Sequence, residues 1–254
     1  MQKHLLLCIL VIVTLSTQAL GEGPEPTAME ILDSAWQYYR GDTSRVEVEM
    51  TIHRPDWERT MTILAWTRGM EESIFRIVAP PKDQGNGTLK KGTEMWTYNP
   101  KVDRIIKLPP SLMSQSWMGS DFSNNDLSKA NSILKDYTHE IVGTEKNEGH
   151  EVYVIKAVAK TDAPVVWGMQ MLKIRDDHII LQQSFLDENG VLVKEMTSEN
   201  IEPVGGRLFP SIWYMRKAEA KGEYTRLHYL KAEFDVPVPD SYFTVSYLRS
   251  AREF

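Results

Sequence analysis

The sequence contains a single cysteine, Cys8, which lies inside an apolar N-terminal run. Without that run the chain has no cysteine, which excludes disulfide bonds and thiol chemistry. Lipid modification of Cys8 is not expected, because Leu7 rather than a small residue precedes it. The protein therefore depends on its hydrophobic core for stability.

Long apolar segments are absent after residue 21, so no later segment is expected to cross a membrane, which takes about 20 apolar residues. The one apolar run follows Lys3 and precedes small residues, the pattern of a cleaved secretory signal peptide. We predict a signal peptide over 1–21 and one domain over 22–254. Cleavage after Ala19 is the alternative to cleavage after Gly21, and a retained membrane anchor is disfavoured by the shortness of the run.

The chain also lacks an excess of positive charge, since 29 Lys and Arg residues stand against 35 Asp and Glu residues. The net charge of −6 becomes −7 once Lys3 is removed, and the charges are scattered along the chain. This distribution argues against nucleic-acid binding. The signal peptide predicts a periplasmic protein, and the lack of a later apolar segment predicts that its contact with membranes is only transient.

Catalytic motifs are missing as well. The six histidines are far apart and form no metal-ligand pattern, and Gly119-Ser120-Asp121 lacks the strand-turn-helix setting of a nucleophile elbow. No Lys-Ser or Lys-Thr follows Gly85-Asn86-Gly87 at phosphate-loop spacing. We therefore expect no enzyme activity, no catalytic residues, no metal site and no cofactor.

The chain does contain a clear alternation of secondary-structure periods. Thr27 and Glu30 form a capping-box pair before an apolar stripe at helical spacing, which predicts a helix ending near Arg40. From Arg45 the period changes to two, and Asn189-Gly190 is a strong hairpin signal. The strands are predicted at 45–52, 59–67, 72–79, 93–98, 102–108, 138–145, 150–159, 165–176, 178–187, 191–200, 207–217 and 223–235. This order predicts a large antiparallel meander.

Several of these strands are apolar on both faces. One is the 165–176 strand, with Val165, Trp167, Met169 and Met171 on one face and Val166 and Leu172 on the other. Such a sheet is covered on both faces or curves around something. A curved sheet around a cavity and a filled barrel core are both open at this point.

Residues 109–136 interrupt the strands. Long insertions of this kind are usually functional or disordered, and the Trp, Phe and Met content argues against disorder. A helix is expected from Asn125 to Tyr137, capped by Asp121 or Ser123. A second break is the 237–254 tail, where Pro239-Asp240 is a weak start signal for a short helix.

A set of sequence words in 75–127 resembles the outer-membrane lipoprotein-sorting (LolA-like) family. The words, in order, are Phe75-Arg76-Ile77, Pro80-Pro81-Lys82-Asp83-Gln84-Gly85, Thr88-Leu89, Met95-Trp96-Thr97-Tyr98-Asn99-Pro100, Arg104-Ile105-Ile106, Ser116-Trp117-Met118-Gly119-Ser120-Asp121-Phe122-Ser123 and Asp126-Leu127. The seven residues from Trp117 to Ser123 are the most specific of these words.

The resemblance implies a mainly β (α+β) fold, in which a curved antiparallel sheet forms an unclosed half-barrel. An N-terminal helix and a short helical lid would lie on its concave side. It implies a periplasmic carrier that holds lipoprotein acyl chains or another lipid and moves it towards the outer membrane, between an inner-membrane transporter and an outer-membrane acceptor. A sensor or accessory subunit of an envelope transport or stress-signalling complex is the alternative.

Aromatic and methionine side chains are the natural lining of such a cavity, although methionine is also an ordinary core filler. The candidate ligand-binding residues are Trp36, Met50, Phe75, Trp96, Trp117, Met118, Phe122, Trp167, Met169, Met171 and Trp213. Residues 117–127 are interpreted either as a lid or its hinge, or as a structural corner that seals the end of the sheet.

Overall fold

The computed structural model describes residues 25–250, so the predicted signal peptide and Cys8 lie outside the described residues. The first element is the helix α1, Ala28–Arg40. Thr27 caps it, since the Thr27 hydroxyl accepts from the Glu30 amide at 3.3 Å and the Glu30 carboxylate accepts from the Thr27 amide at 2.8 Å. Gly41, with a φ of 63°, ends the helix in a conformation that favours glycine.

Thirteen strands form one antiparallel sheet that does not close into a barrel. They are β1 (Thr43–Arg54), β2 (Trp57–Arg68), β3 (Glu72–Ala79), β4 (Gly87–Lys91), β5 (Glu94–Asn99), β6 (Arg104–Lys107), β7 (Tyr137–Asn147), β8 (His150–Ala159), β9 (Met169–Arg175), β10 (Ile180–Leu186), β11 (Leu192–Val204), β12 (Arg207–Lys217) and β13 (Tyr224–Phe234). Their spatial order is β6-β5-β4-β3-β2-β1-β13-β12-β11-β10-β9-β8-β7. The predicted half-barrel is confirmed.

The order of the strands explains the 109–136 insertion. The edge strands are β6 and β7, which are consecutive in sequence but lie at opposite ends of the sheet. The chain between them therefore has to cross from one edge to the other. It does so through short 3₁₀ turns at Pro110–Leu112 and Trp117–Gly119 and the helices α2 (Asn124–Ser128) and α3 (Ser132–Lys135).

The inner face of the sheet is divided between two apolar clusters. Helix α1 and Ile133 of α3 cover the first, which includes Leu172 and Trp213. Trp117 covers the second, which includes Met50 and Met95. Helix α1 and the insertion thus lie side by side on the concave face.

The outer face of β2–β5 is covered by the C-terminal segment. A 3₁₀ turn at Asp240–Phe243 and the helix α4 (Val245–Arg249) bury Phe243 and Leu248 against Trp66 and other outward residues. Gly87 lies beneath α4, since a Cβ there would come within 2.8 Å of the Leu248 side chain. Strands in this half of the sheet are therefore apolar on both faces for a reason other than a cavity.

Three sequence predictions of local structure are wrong. Strand β4 was not predicted, and the helix expected from Asn125 to Tyr137 is two short helices, with Tyr137 already in β7. The strand predicted from 165 begins only at Met169, so Trp167 belongs to a loop. Pro164, which cannot donate a ladder hydrogen bond, lies in that loop. Across residues 25–250, no helix has the length and apolar character needed to span a bilayer.

Candidate functional site

A cavity of about 270 Å³ lies between the concave face of the sheet, α1 and the α2–α3 segment. Apolar side chains make up most of its wall. Trp36 and Tyr39 come from α1, Ala65 and Phe75 from β2 and β3, and Leu127 from α2. The cavity is therefore enclosed by parts of the chain that are far apart in sequence.

Six of the eleven candidate ligand-binding residues contribute to this wall, namely Trp36, Phe75, Trp117, Phe122, Trp167 and Trp213. Trp167 reaches it because its loop, which is free of strand alternation, turns the indole inward. Its ring lies 5.6 Å from that of Phe185.

The other five candidates do not line the cavity. Met50 is fully buried in the cluster under Trp117, and Met118 packs at the border of that cluster. Trp96 packs on the outer face with the C-terminal segment. Met169 and Met171 alternate with Gln170 and Leu172, whose side chains are buried, and thus point to the outer face of β9.

Residues 116–123 form a tightly held corner at one end of the cavity. The Trp117 indole is 6% exposed, donates to the Thr88 hydroxyl at 3.1 Å and lies edge-on to Phe75, 5.3 Å between ring centroids. The Asp121 carboxylate is buried against the Arg54 guanidinium at 2.9 Å and accepts from the Thr225 hydroxyl at 2.7 Å. These contacts tie the most specific sequence word to β1, β4 and β13.

The α2–α3 segment that follows forms the outer wall of the cavity. Ser123 and Asp126 cap α2 in a capping box, as the sequence predicts for Ser123. Asp126 also pairs with Lys194 of β11, and both side chains are almost fully buried. Burial lowers the pKa of the Lys194 ammonium, and the Asp126 charge opposes this shift.

Two cations lie at the other end of the cavity, and sequence reasoning missed both. Arg40 is the last residue of α1, and Lys90 of β4 is 2% exposed. Burial lowers the pKa of Lys90 to about 8, and the neighbouring Arg40 charge acts in the same direction. The sequence signal for Lys90 is the polar-apolar-polar order of Thr88, Leu89 and Lys90. This order indicates that Lys90 shares a face with Thr88 only once β4 is known to be a strand.

Two tyrosine hydroxyls, of Tyr39 and Tyr229, are in hydrogen-bond contact at the cavity wall. Burial raises the pKa of both phenols. Both therefore stay neutral and act as donors or acceptors rather than as anions that would pair with Arg40.

Replacing Lys90 with Met is expected to raise the free energy of unfolding at pH 7 by about 1–3 kcal/mol, because a desolvated charge is removed. The folded pKa, about 8, is below the ordinary 10.5. Between these values the unfolded chain binds more protons, so wild-type stability rises with pH and the advantage of the variant shrinks.

Urea unfolding of both proteins at pH 7 and pH 10 measures this difference. Lys91→Met is the matched control, since Lys91 is on the same strand but exposed and paired with Glu72. A Lys90→Met variant that is less stable than the Lys91→Met variant at pH 7 would contradict the assignment of an uncompensated charge.

Among the described residues, one group has the composition of a metal site: His150 at the start of β8 and Asp176 and Asp177 in the β9–β10 turn. The His150 Nδ1 lies 2.6 Å from the Asp176 carboxylate. Asp177 is engaged by the Arg175 guanidinium at 2.7 Å. The arginine already neutralises one carboxylate of the group, so these contacts are explained as a surface ion-pair network that holds the turn.

The fold and part of the sequence match known proteins. A structure of a LolA superfamily protein from Nitrosomonas europaea aligns with 26% identity and a TM-score of 0.73 over 88% of this chain and 100% of that chain. A DUF1329 family protein from Desulfovibrio piger aligns with 21% identity and a TM-score of 0.77 over 87% and 97%. A structure described as a "putative outer membrane lipoprotein-sorting protein domain" from Vibrio parahaemolyticus aligns with 21% identity and a TM-score of 0.74. The alignment covers 88% of this chain and 98% of that chain.

A comparison with curated proteins gave no match. Residues 69–250, more than half of the chain, match a family model described as "Uncharacterized protein". That range includes the corner, the α2–α3 segment and most of the cavity wall. The chain therefore belongs to this family, and its half-barrel is similar to that of the LolA superfamily protein from Nitrosomonas europaea.

Proposed function

We propose that this protein is a periplasmic, non-enzymatic carrier that binds an acyl chain of a lipoprotein or another lipid in the cavity and moves it towards the outer membrane. The observation that carries the proposal is the apolar cavity of about 270 Å³ between the sheet, α1 and α2–α3. Small-molecule pockets usually measure about 300–1,000 Å³. The cavity is close to the lower end of this range and therefore suits a single acyl chain.

Transient binding fits the energetics of such a site. Each buried methylene contributes about 0.8 kcal/mol, so complete burial of two or three long chains would make release very slow. A carrier needs a cavity that opens, and α2–α3 is a short helical part of the wall that polar contacts tie to its neighbours, beside the apolar contact of Ile133. We assign the lid to α2–α3 rather than to the corner at residues 116–123.

Polar contacts hold this lid on two sides. On one side Glu71, in the β2–β3 turn, accepts from Asn131 at 2.8 Å and from Lys135 at 2.7 Å. On the other side Lys194 holds Asp126. In the middle, the Trp36 indole donates to the Ala130 carbonyl at 3.4 Å. The Glu71 contacts are half exposed, so they can open without leaving a buried charge unpaired.

Replacing Glu71 with Gln is expected to speed release of a bound acyl ligand several-fold while changing stability by less than about 1 kcal/mol, as for other exposed ion pairs. Stopped-flow dissociation of a fluorescent fatty acid measures the release rate. Glu94→Gln is the matched control, because Glu94 forms an exposed pair with Lys107 on β6, away from the lid. Equal release rates for the Glu71→Gln and Glu94→Gln variants would contradict the lid assignment.

A transfer assay tests the carrier itself. Purified protein without its signal peptide is added to donor vesicles that contain a fluorescent acyl lipid and to unlabelled acceptor vesicles. We expect movement of the lipid to accelerate in proportion to protein concentration. Stable, stoichiometric protein partners in a pull-down, with no lipid bound and no transfer, would instead support the accessory or sensor role.

A further inference from the structure

We propose that Arg40 and Lys90 bind the anionic head, a carboxylate or a phosphate, of the amphiphile whose chain occupies the cavity. This inference rests on the proposed function and specifies the class of ligand. It assigns the polar end of the cavity to headgroup recognition.

Both cations are held beside one another by a single turn. The Arg40 guanidinium donates to the Gly69 carbonyl at 3.2 Å and to the Ser73 hydroxyl at 3.0 Å. The Lys90 ammonium donates to the Met70 carbonyl at 2.7 Å. The β2–β3 turn thus orients both side chains by neutral acceptors, and both line the cavity.

Neither cation has a carboxylate within ion-pair distance in residues 25–250. The two acids nearest in sequence to these contacts are already engaged, since Glu71 accepts from Lys135 and Glu72 from Arg68 and Lys91. The Arg40 Nε is buried and has no hydrogen-bond partner among the described residues. By contrast Lys194, which packs on the aromatic rings beside the cavity, has Asp126.

Charges without a carboxylate in contact are unfavourable next to an apolar cavity in the free protein, because the more distant Glu71 and Glu72 charges offset the desolvation of Lys90 only in part. An anion placed between the two cations would offset it and would form charge-assisted hydrogen bonds, the strong kind. The apolar remainder of the wall would take the chain. A neutral lipid would leave both cations unpaired, so the arrangement selects amphiphiles with an anionic head.

The test compares four ligands on the intact mature protein by titration calorimetry at pH 7: dodecanoate, dodecyl phosphate, dodecanol and inorganic phosphate, the amphiphiles below their micelle concentrations. We expect at least one of the two anionic amphiphiles to bind at least about tenfold more tightly than dodecanol, since each charge-assisted hydrogen bond is worth more than a factor of about ten. Which anion is preferred identifies the head.

Variants separate the head from the chain. In the Lys90→Met and Arg40→Gln variants, we expect the ratio of anionic-amphiphile affinity to dodecanol affinity to fall by at least about tenfold, with dodecanol affinity unchanged. The Lys91→Met variant is expected to behave like the wild type. The preference should also fall between pH 7 and pH 9, because the pKa of Lys90 is about 8. If the Arg40→Gln variant does not fold, the comparison of the Lys90→Met variant with the wild type is sufficient to decide the test.

Three results overturn the inference in distinguishable ways. Equal binding of anionic amphiphiles and dodecanol, unchanged in the variants, removes the headgroup role but leaves the carrier proposal intact. Binding of inorganic phosphate as tight as that of dodecyl phosphate assigns the cations to a free anion. Failure of the wild type to bind any of the three amphiphiles contradicts the proposed function itself.

Discussion

Replacing Trp117 with Ala is expected to lower the free energy of unfolding by about 3–5 kcal/mol, the usual effect of truncating a buried large aromatic. The indole is 6% exposed, packs edge-on against Phe75 and donates a hydrogen bond to Thr88. The variant would lose all three contributions and leave a cavity above Met50 and Met95. Urea unfolding followed by circular dichroism measures the loss.

Phe122→Ala is the companion variant. Phe122 is only half-buried and lines the cavity, so its truncation is expected to weaken acyl binding with a smaller loss of stability. A Trp117→Ala variant that is as stable as the wild type and releases its ligand faster would show that residues 117–122 belong to the lid, against the corner assignment.

Replacing Ala65 with Phe is expected to reduce acyl binding by at least about 100-fold. Ala65 is 3% exposed and sits on the concave face of β2, in one cross-strand row with Val46 and Phe75, and all three residues line the cavity. A phenyl ring there would occupy space that the ligand needs. Excluding about four methylenes, each worth about 0.8 kcal/mol, gives a loss of this size.

The control for this variant is Ala218→Phe, because Ala218 is exposed just after β12. Its ligand affinity is expected to equal that of the wild type. Binding of a fluorescent fatty acid by all three proteins, with unfolding curves to show that each is folded, makes the comparison. Unchanged affinity in a folded Ala65→Phe variant would place the ligand outside the cavity.

Local patterns predicted much of the fold because they are set by neighbouring residues. The capping box of Thr27 and Glu30 and the apolar stripe behind it define α1 to within one residue. The alternation from Arg45 onward lies wholly within β1, and Asn189-Gly190 forms the turn between β10 and β11. The alternation of apolar residues could not distinguish a half-barrel from a filled barrel. The resemblance to the LolA-like family then predicted the half-barrel.

Predictions that depended on distant contacts were less successful. Strands apolar on both faces indicated either a cavity or a filled barrel core, whereas Trp66, Ile74 and Leu89 face outward beneath the C-terminal segment. Met169 and Met171 were grouped with Trp167 because a continuous strand was assumed, and the loop before β9 breaks that alternation. A pattern identifies which residues share a face, but not which distant segment covers that face.

The cavity position of Arg40 and Lys90 also could not be predicted from local sequence patterns. Arg40 reads in the sequence as an ordinary basic residue in the last turn of a helix, favourable to the helix dipole. Lys90 reads as one of two lysines before a glycine. Only the folded sheet brings both side chains to the β2–β3 turn, where neutral carbonyls rather than carboxylates receive them.

The central claim is that the cavity holds a lipid chain, and native mass spectrometry tests it most directly. Wild type and the Ala65→Phe variant are purified from the periplasm of the same host under identical, detergent-free conditions. We predict that the wild type carries an added mass, which organic extraction identifies as an amphiphile, and that the folded variant lacks it. The same added mass on both proteins, or none on the wild type after incubation with an acyl lipid, would contradict the claim.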